Sequence, residues 1–197
     1  MRSSGLADPS SNVRLVEARR HSDERGWFSE TYSARRLDEV GIACEFPQDN
    51  QSWSRLAGTV RGLHFQRPPS AQAKLVACLR GRIFDVVVDL RAGSPSFGRS
   101  LTVELTEAGE QLFVPVGFAH GFITLTDDTV VAYKVSSLYD PGADAGLAWN
   151  DPALAIDWPL PASGPIVSER DARLPMLSAL DSPFAYDGGG PISLTRV

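Results

Sequence analysis

At 197 residues, 43% hydrophobic and 22% charged, the chain has the length and composition of one globular domain with a sizeable core. No run of roughly 18 apolar residues offers a membrane span, and a formal net charge of −5 without a basic run excludes a broad nucleic-acid surface. An anionic small ligand is compatible with that charge if a few arginines cluster locally.

In chain order, the opening MRSSGLADPSSN lacks the apolar stretch of a signal peptide and is expected to be loose over residues 1–12. SARRLDEVGI, Ser33 to Ile42, predicts a short helix capped by Ser33 and stopped at Gly41. Cys44 and Cys78 form no CxxC and read as free thiols of a cytoplasmic protein. LVACLRGRIFDVVVDLR then predicts two strands broken at Gly81. The second alternates Ile83, Asp85, Val87 and Asp89 against Phe84, Val86, Val88 and Leu90. Asp85 and Asp89 share one face, either outward and wet or inward and polar.

SLTVELT, EQLFVPV, HGFITLT and TVVAYKVSSLY are further short strands, with GSPSFG, VPVGF, TDDT and DPGADAG as turns. From Asp151 the chain reads as irregular, with a short helix near Leu177. The last stretch, DGGGPISLTRV, carries no pattern, and the tail from about 183 is expected to be peripheral. Short strands with Gly/Pro turns predict an all-β sandwich or barrel in a single domain, 1–197. The jelly roll is its commonest compact form.

The chain has three histidines. Metal-binding jelly rolls usually offer a closely spaced His pair and a carboxylate on one strand, then a third His on a later one. His120 in VPVGFAHGF fits the later strand, but His64 in VRGLHFQ stands alone and His21 lies in a polar loop. Such a set makes a poor iron or zinc site, so no metal is expected. A metal-free reading has its own logic. A neutral imidazole is a natural general base when a carboxylate fixes its tautomer. A lysine ammonium can stabilise negative charge growing on a substrate oxygen. His64, Lys74 in QAKL, Tyr133 in AYK and Asp171 in SERDAR supply base, oxyanion stabiliser, acid and carboxylate, a set suited to proton abstraction beside a carbonyl. Each alone also fits an ordinary role: a satisfied core histidine, a surface lysine, a packing tyrosine, a solvated turn.

With these residues assembled, the chain resembles the dTDP-4-dehydrorhamnose 3,5-epimerase family from about His21 to Leu174. The likeness rests on DERGWFSETY, QDNQS, VRGLHFQ, QAKLVACLRGRIFDVVVDLRAGSPSFG, VPVGFAHGF, AYKVSSLYDP, WNDPALAIDWPL and SERDARLP in order. It implies a cupin-type jelly roll, no cofactor, and a homodimer in which the segment around Arg25 is lent to the partner's site. It implies dTDP-4-keto-6-deoxyglucose as substrate, with His64 as base, Asp171 as its partner, Tyr133 as proton donor and Lys74 beside the C4 oxygen. Arg61 matches a substrate-contacting arginine although it has the wrong strand parity. Asp85 and His120 match polar pocket residues; Tyr139, Gln48, Asn50, Phe28, Glu30 and Arg25 match residues around nucleotide and sugar. Arg25, Arg61 and Arg173 are expected to converge on the diphosphate. One departure stands out: Gln51 replaces the histidine usual between Asn50 and Ser52. The alternatives are an epimerase of C3 alone or C5 alone, and a non-catalytic sugar-binding barrel. A 3,4-ketoisomerase or metal-dependent oxygenase of related fold needs more histidine than this chain has.

Overall fold

A computed structural model describes residues 12–186 and 188–197, so the expected looseness of 1–12 lies outside the described residues except at Asn12. The chain opens with β1 (Val13–Glu17), the hairpin strands β2 (Arg20–Asp23) and β3 (Gly26–Ser29), and helix α1 (Ala34–Glu39). Then come β4 (Gln48–Ser54), β5 (Thr59–Gln66), β6 (Lys74–Arg80), β7 (Arg82–Asp89) and β8 (Ser100–Thr106). β9 (Glu110–Val114), β10 (Phe118–Thr124), β11 (Thr129–Val135), β12 (Asp144–Gly146), β13 (Ile166–Val167) and β14 (Leu194–Arg196) complete the set.

Two sheets carry the fold. The first runs β14-β1-β9-β6-β11-β4; the second runs β12-β5-β10-β7-β8, with β13 beside β5. Leu15, Val76, Leu112 and Val131 of the first sheet meet Ile83, Val87, Leu105 and Phe122 of the second in one buried cluster. The sheets therefore face each other across a shared core, the all-β jelly roll expected.

β7 shows why the alternation was ambiguous. Ile83 and Val87 enter the inter-sheet core, while Val86 and Val88 pack outside the second sheet against Leu147, Leu154 and Trp158. Both faces are buried, so Asp85 and Asp89 are inward and polar, each at 0% exposure. Asp89 is satisfied by the Arg91 backbone and guanidinium and by the hydroxyls of Ser94 and Ser96. Burial would raise its pKa, but these donors hold it below the usual carboxylate value.

Helix α1 begins where Ser33 accepts from the Arg36 amide and ends before Gly41, whose φ of 75° suits glycine. Its Leu37 packs with Ile42, Leu75 and Phe113 on the outer face of the first sheet. The one-turn helix at Leu177–Ala179 matches the expected position.

The tail has more structure than its composition suggests. Phe184 is buried edge-on against Phe65, with ring centroids 5.7 Å apart, and β14 pairs in parallel with β1 as an edge strand. Phe184→Ala should destabilise the protein by about 3–5 kcal/mol in a urea unfolding curve, the usual cost of emptying a phenylalanine site.

Candidate active site

His64 on β5 stands directly opposite His120 on β10, and Arg61 stands opposite Phe122. Between those two pairs β5 has both Gly62 and Leu63, whereas β10 has only Gly121. The extra residue is a β-bulge, and it turns Arg61 to the same side as His64. That resolves the parity problem. Gly62 takes a φ of 115°, and a Cβ on it would lie 2.7 Å from the Gly121 Cα.

The bulge also supplies a donor. The Gly62 amide donates to Asp171 Oδ2 at 3.1 Å, while Oδ1 lies 2.7 Å from His64 Nε2. Asp171 opens the short helical turn Asp171–Arg173, which is brought onto β5 by close approach at β12. Gly146 makes that approach feasible: a Cβ there would lie 2.4 Å from the Leu63 carbonyl oxygen and 2.8 Å from the Leu174 side chain. Burial pushes the Asp171 carboxyl up, but the His64 hydrogen bond and charge, the Gly62 amide and Arg170 outweigh it, leaving the pKa lowered. An ionised carboxylate only accepts, so the shared proton resides on His64 Nε2 and leaves Nδ1 as the basic nitrogen.

A cavity of about 500 Å3 lies between the sheets. Its second-sheet wall carries Arg61, His64, His120 and Phe122; its first-sheet wall carries Ser52, Lys74 and Tyr133; residues 166–168, Arg170 and Asp171 close one side. A smaller adjoining cavity of about 150 Å3 shares His64, Lys74, Tyr133 and Arg170 and adds Gln48, Asn50, Tyr139 and Asp144. Asn50 and Tyr133 are register partners across β4 and β11, and Val135 aligns with both Gln48 and Lys74.

Lys74 is 9% exposed, and its Nζ donates to the His64 carbonyl at 3.2 Å. Burial pulls its pKa down to about 8, against the opposing pull of Asp85 and Asp144. Burial likewise raises the Tyr133 hydroxyl, which Arg61 opposes, so the phenol stays a proton donor. The Arg61 guanidinium is steadied by Ser54 Oγ at 3.2 Å and the Trp53 carbonyl at 3.1 Å.

The remaining expected site residues fall in different places. Asp85 lines neither cavity; its two oxygens lie 3.0 and 2.9 Å from His120 Nε2 behind the wall. Burial raises its pKa, opposed by His120 and Lys74. Gln48 spends its amide within the protein, accepting from the Tyr139 backbone and donating to Asn50. Arg25 pairs with Asp23 at the exposed hairpin tip, Phe28 is 71% exposed, and Glu30 lies 3.4 Å from Arg36; none of the three lines its own chain's cavity. Arg173 pairs with Glu169 at the surface, while Arg170, which the motif reading passed over, lines both cavities and donates to Asp144 Oδ2 at 2.5 Å. Gln51 is exposed on the outer face of β4 and also lies outside both cavities. Among the described residues no group of three His, Cys, Asp or Glu side chains is arranged to hold a metal ion.

Residues 9–179 match the sequence profile of dTDP-4-dehydrorhamnose 3,5-epimerase. The chain belongs to that family. A dTDP-4-dehydrorhamnose 3,5-epimerase from Sinorhizobium fredii is 48% identical over 179 residues, 88% of this chain and 89% of the relative. A crystal structure of the Bacillus anthracis enzyme with TDP and PPi bound superposes with a TM-score of 0.82 at 46% identity. It covers 85% of this chain and 95% of that one. The Legionella pneumophila 3,5-epimerase, solved in complex with dTDP-4-keto-L-rhamnose, gives a TM-score of 0.81 at 38% identity, covering 89% and 99%.

The close packing at Gly146 yields a test. Gly146→Ala should push residues 171–174 away from β5 and lower kcat roughly a hundredfold, the scale expected for a displacement of about 1 Å. Binding of dTDP, measured by calorimetry, should be retained within a few fold.

Proposed function

We propose that the chain epimerises dTDP-4-keto-6-deoxyglucose at C3 and C5. The observation that carries this reading is the division of labour across the cavity. A carboxylate-held imidazole stands on one sheet, and a phenol and an ammonium stand on the other. The C4 ketone acidifies the hydrogens at C3 and C5. His64 Nδ1 takes one of them, and the imidazolium that forms is stabilised by Asp171. Negative charge moves to the C4 oxygen, where Lys74 meets it as an ammonium. Tyr133 then returns a proton to the same carbon from the opposite face, after which solvent reprotonates the phenolate and takes the proton from the imidazolium, restoring both groups. His120, held by Asp85, Arg61 and Arg170 orient the sugar and diphosphate, and Tyr139 and Asn50 border the smaller cavity where the nucleoside fits. The names of the relatives and the ligand of the Legionella enzyme support this substrate and both centres.

What the chain leaves uncovered supports an oligomer. Trp27 and Phe28 on the hairpin are 57% and 71% exposed. A groove of about 610 Å3 lies on the outer face of the first sheet, lined partly by Trp27, Leu75, Ala77 and Leu79. We infer a homodimer that covers this face and carries Arg25, Phe28 and Glu30 to the partner's cavity.

Three outcomes are expected. Incubation in deuterium oxide should place label at both C3 and C5 of the keto sugar, read by NMR; label at one carbon would identify a single-centre epimerase. The rate should fall as pH rises through about 8, because Lys74 is charged below that value and loses its proton above it; an unchanged rate to pH 10 would remove the ammonium from the mechanism. Mixing inactive His64→Asn with inactive Arg25→Ala should restore about a quarter of wild-type activity if subunits exchange freely, since half of a statistical mixture is heterodimer with one intact site.

A further inference from the structure

The connection from β11 to β12, residues 136–143, carries Tyr139 and forms the outer wall of the smaller cavity. As a surface loop between two short strands it has every reason to move. It is instead tied down at several points, among them Gln72 Nε2 to the Ser137 carbonyl at 2.7 Å, and beneath Tyr139 by one buried side chain. Gln66 ends β5, two residues after His64, and is 3% exposed. Its Nε2 donates to the Ser70 carbonyl at 2.6 Å and to the Leu138 carbonyl at 3.2 Å, and its Oε1 accepts from the Asp140 amide at 2.9 Å. One amide hydrogen and the carbonyl are thus spent on the backbone flanking Tyr139 and the other amide hydrogen on Ser70, which limits what Gln66 can offer a substrate directly. A further tie, Ser70 Oγ to Asp140 Oδ2 at 2.8 Å, fastens the same loop nearer the surface. With Gln66 holding its two neighbours and Gln48 holding its amide, Tyr139 reaches Asp144 Oδ2 at 3.0 Å and leaves its ring at the cavity mouth.

We propose that Gln66 is a positioning residue that pre-orders the Tyr139 loop for the nucleotide, setting affinity for the substrate and not the rate of proton transfer. The inference rests on the epimerase reading for the identity of the ligand. Its physical basis is that a wall ordered before binding spares the ligand the entropy of ordering it. His64, Asp171, Lys74 and Tyr133 lie on other elements, so the chemistry does not depend on this loop.

The test compares Gln66→Leu and Gln66→Glu with the wild type in dTDP calorimetry, steady-state kinetics, thermal melting and amide hydrogen exchange over 136–143. Gln66→Leu should weaken dTDP binding and raise KM by roughly tenfold, about 1.4 kcal/mol, with kcat within twofold and faster exchange in the loop. Gln66→Glu keeps the acceptor for Asp140 and loses the donors, so it should fall between. If Gln66→Leu does not fold, Ser70→Ala carries the test through a smaller KM rise in the same direction. Faster loop exchange with unchanged dTDP affinity and KM overturns the proposal, as does a fall in kcat with affinity intact. A wild type that binds dTDP but incorporates no deuterium defeats the epimerase reading and leaves Gln66 judged on dTDP affinity. A wild type that binds no dTDP overturns both.

Discussion

The Asp171 carboxylate accepts from two groups of one strand, the His64 ring and the Gly62 amide, and so joins segments far apart in sequence. The second contact is not available to a regular ladder. A strand without the bulge commits its amides to its neighbours, and Gly62 would have no donor to spare. The same irregularity faces Arg61 and His64 into one cavity. The glycines of β5, β10 and β12 are therefore part of the site's construction, because side chains there would separate the strands that the carboxylate draws together.

Around this pair the protein buries charge in a graded way. Asp89 and Arg91 form a closed structural cluster in which the carboxylate is amply supplied with donors. Asp85, His120 and Lys74 are different: each is at most 9% exposed, and burial displaces Asp85 upward and Lys74 downward. Burying such groups is costly and is tolerated where neighbours of opposite sign compensate. Asp85 behind His120 and near Lys74 supplies that compensation without occupying space a substrate would need. Its value to the site is electrostatic and orientational, at one remove from the cavity.

Much of the fold was legible where apolar alternation or a cap was strong: β6 and β7 broken at Gly81, β8 to β11, and the Ser33-capped helix. β4 was not, because its inward positions are Gln48, Asn50 and Ser52. A strand whose buried face is polar for the sake of a cavity carries no amphipathic signature. β14 is too short and too near an edge to announce itself, and its partner β1 is distant in sequence. The motifs brought His64, Lys74, Tyr133, Asp171, Arg61 and His120 to one place, as the resemblance implied. They passed over Arg170, which lines the cavity, while Arg173 pairs with Glu169 at the surface. They also could not tell that Asp85 lies behind the wall, because strand parity reports the face and not the depth.

His64 and Tyr133 are carried by different sheets and face one cavity. On the proposed roles, removing a carbon-bound hydrogen draws on both walls, through His64 and Lys74, whereas the face of its return rests on Tyr133 alone. The two can be uncoupled. A chain altered only at Tyr133 would still loosen the hydrogen and trade it with solvent, yet hand it back from where it came, erasing isotopic history while preserving configuration. On these roles stereochemical outcome hangs on a single side chain, and a new handedness can evolve at Tyr133 while His64, Asp171 and Lys74 keep the chemistry running.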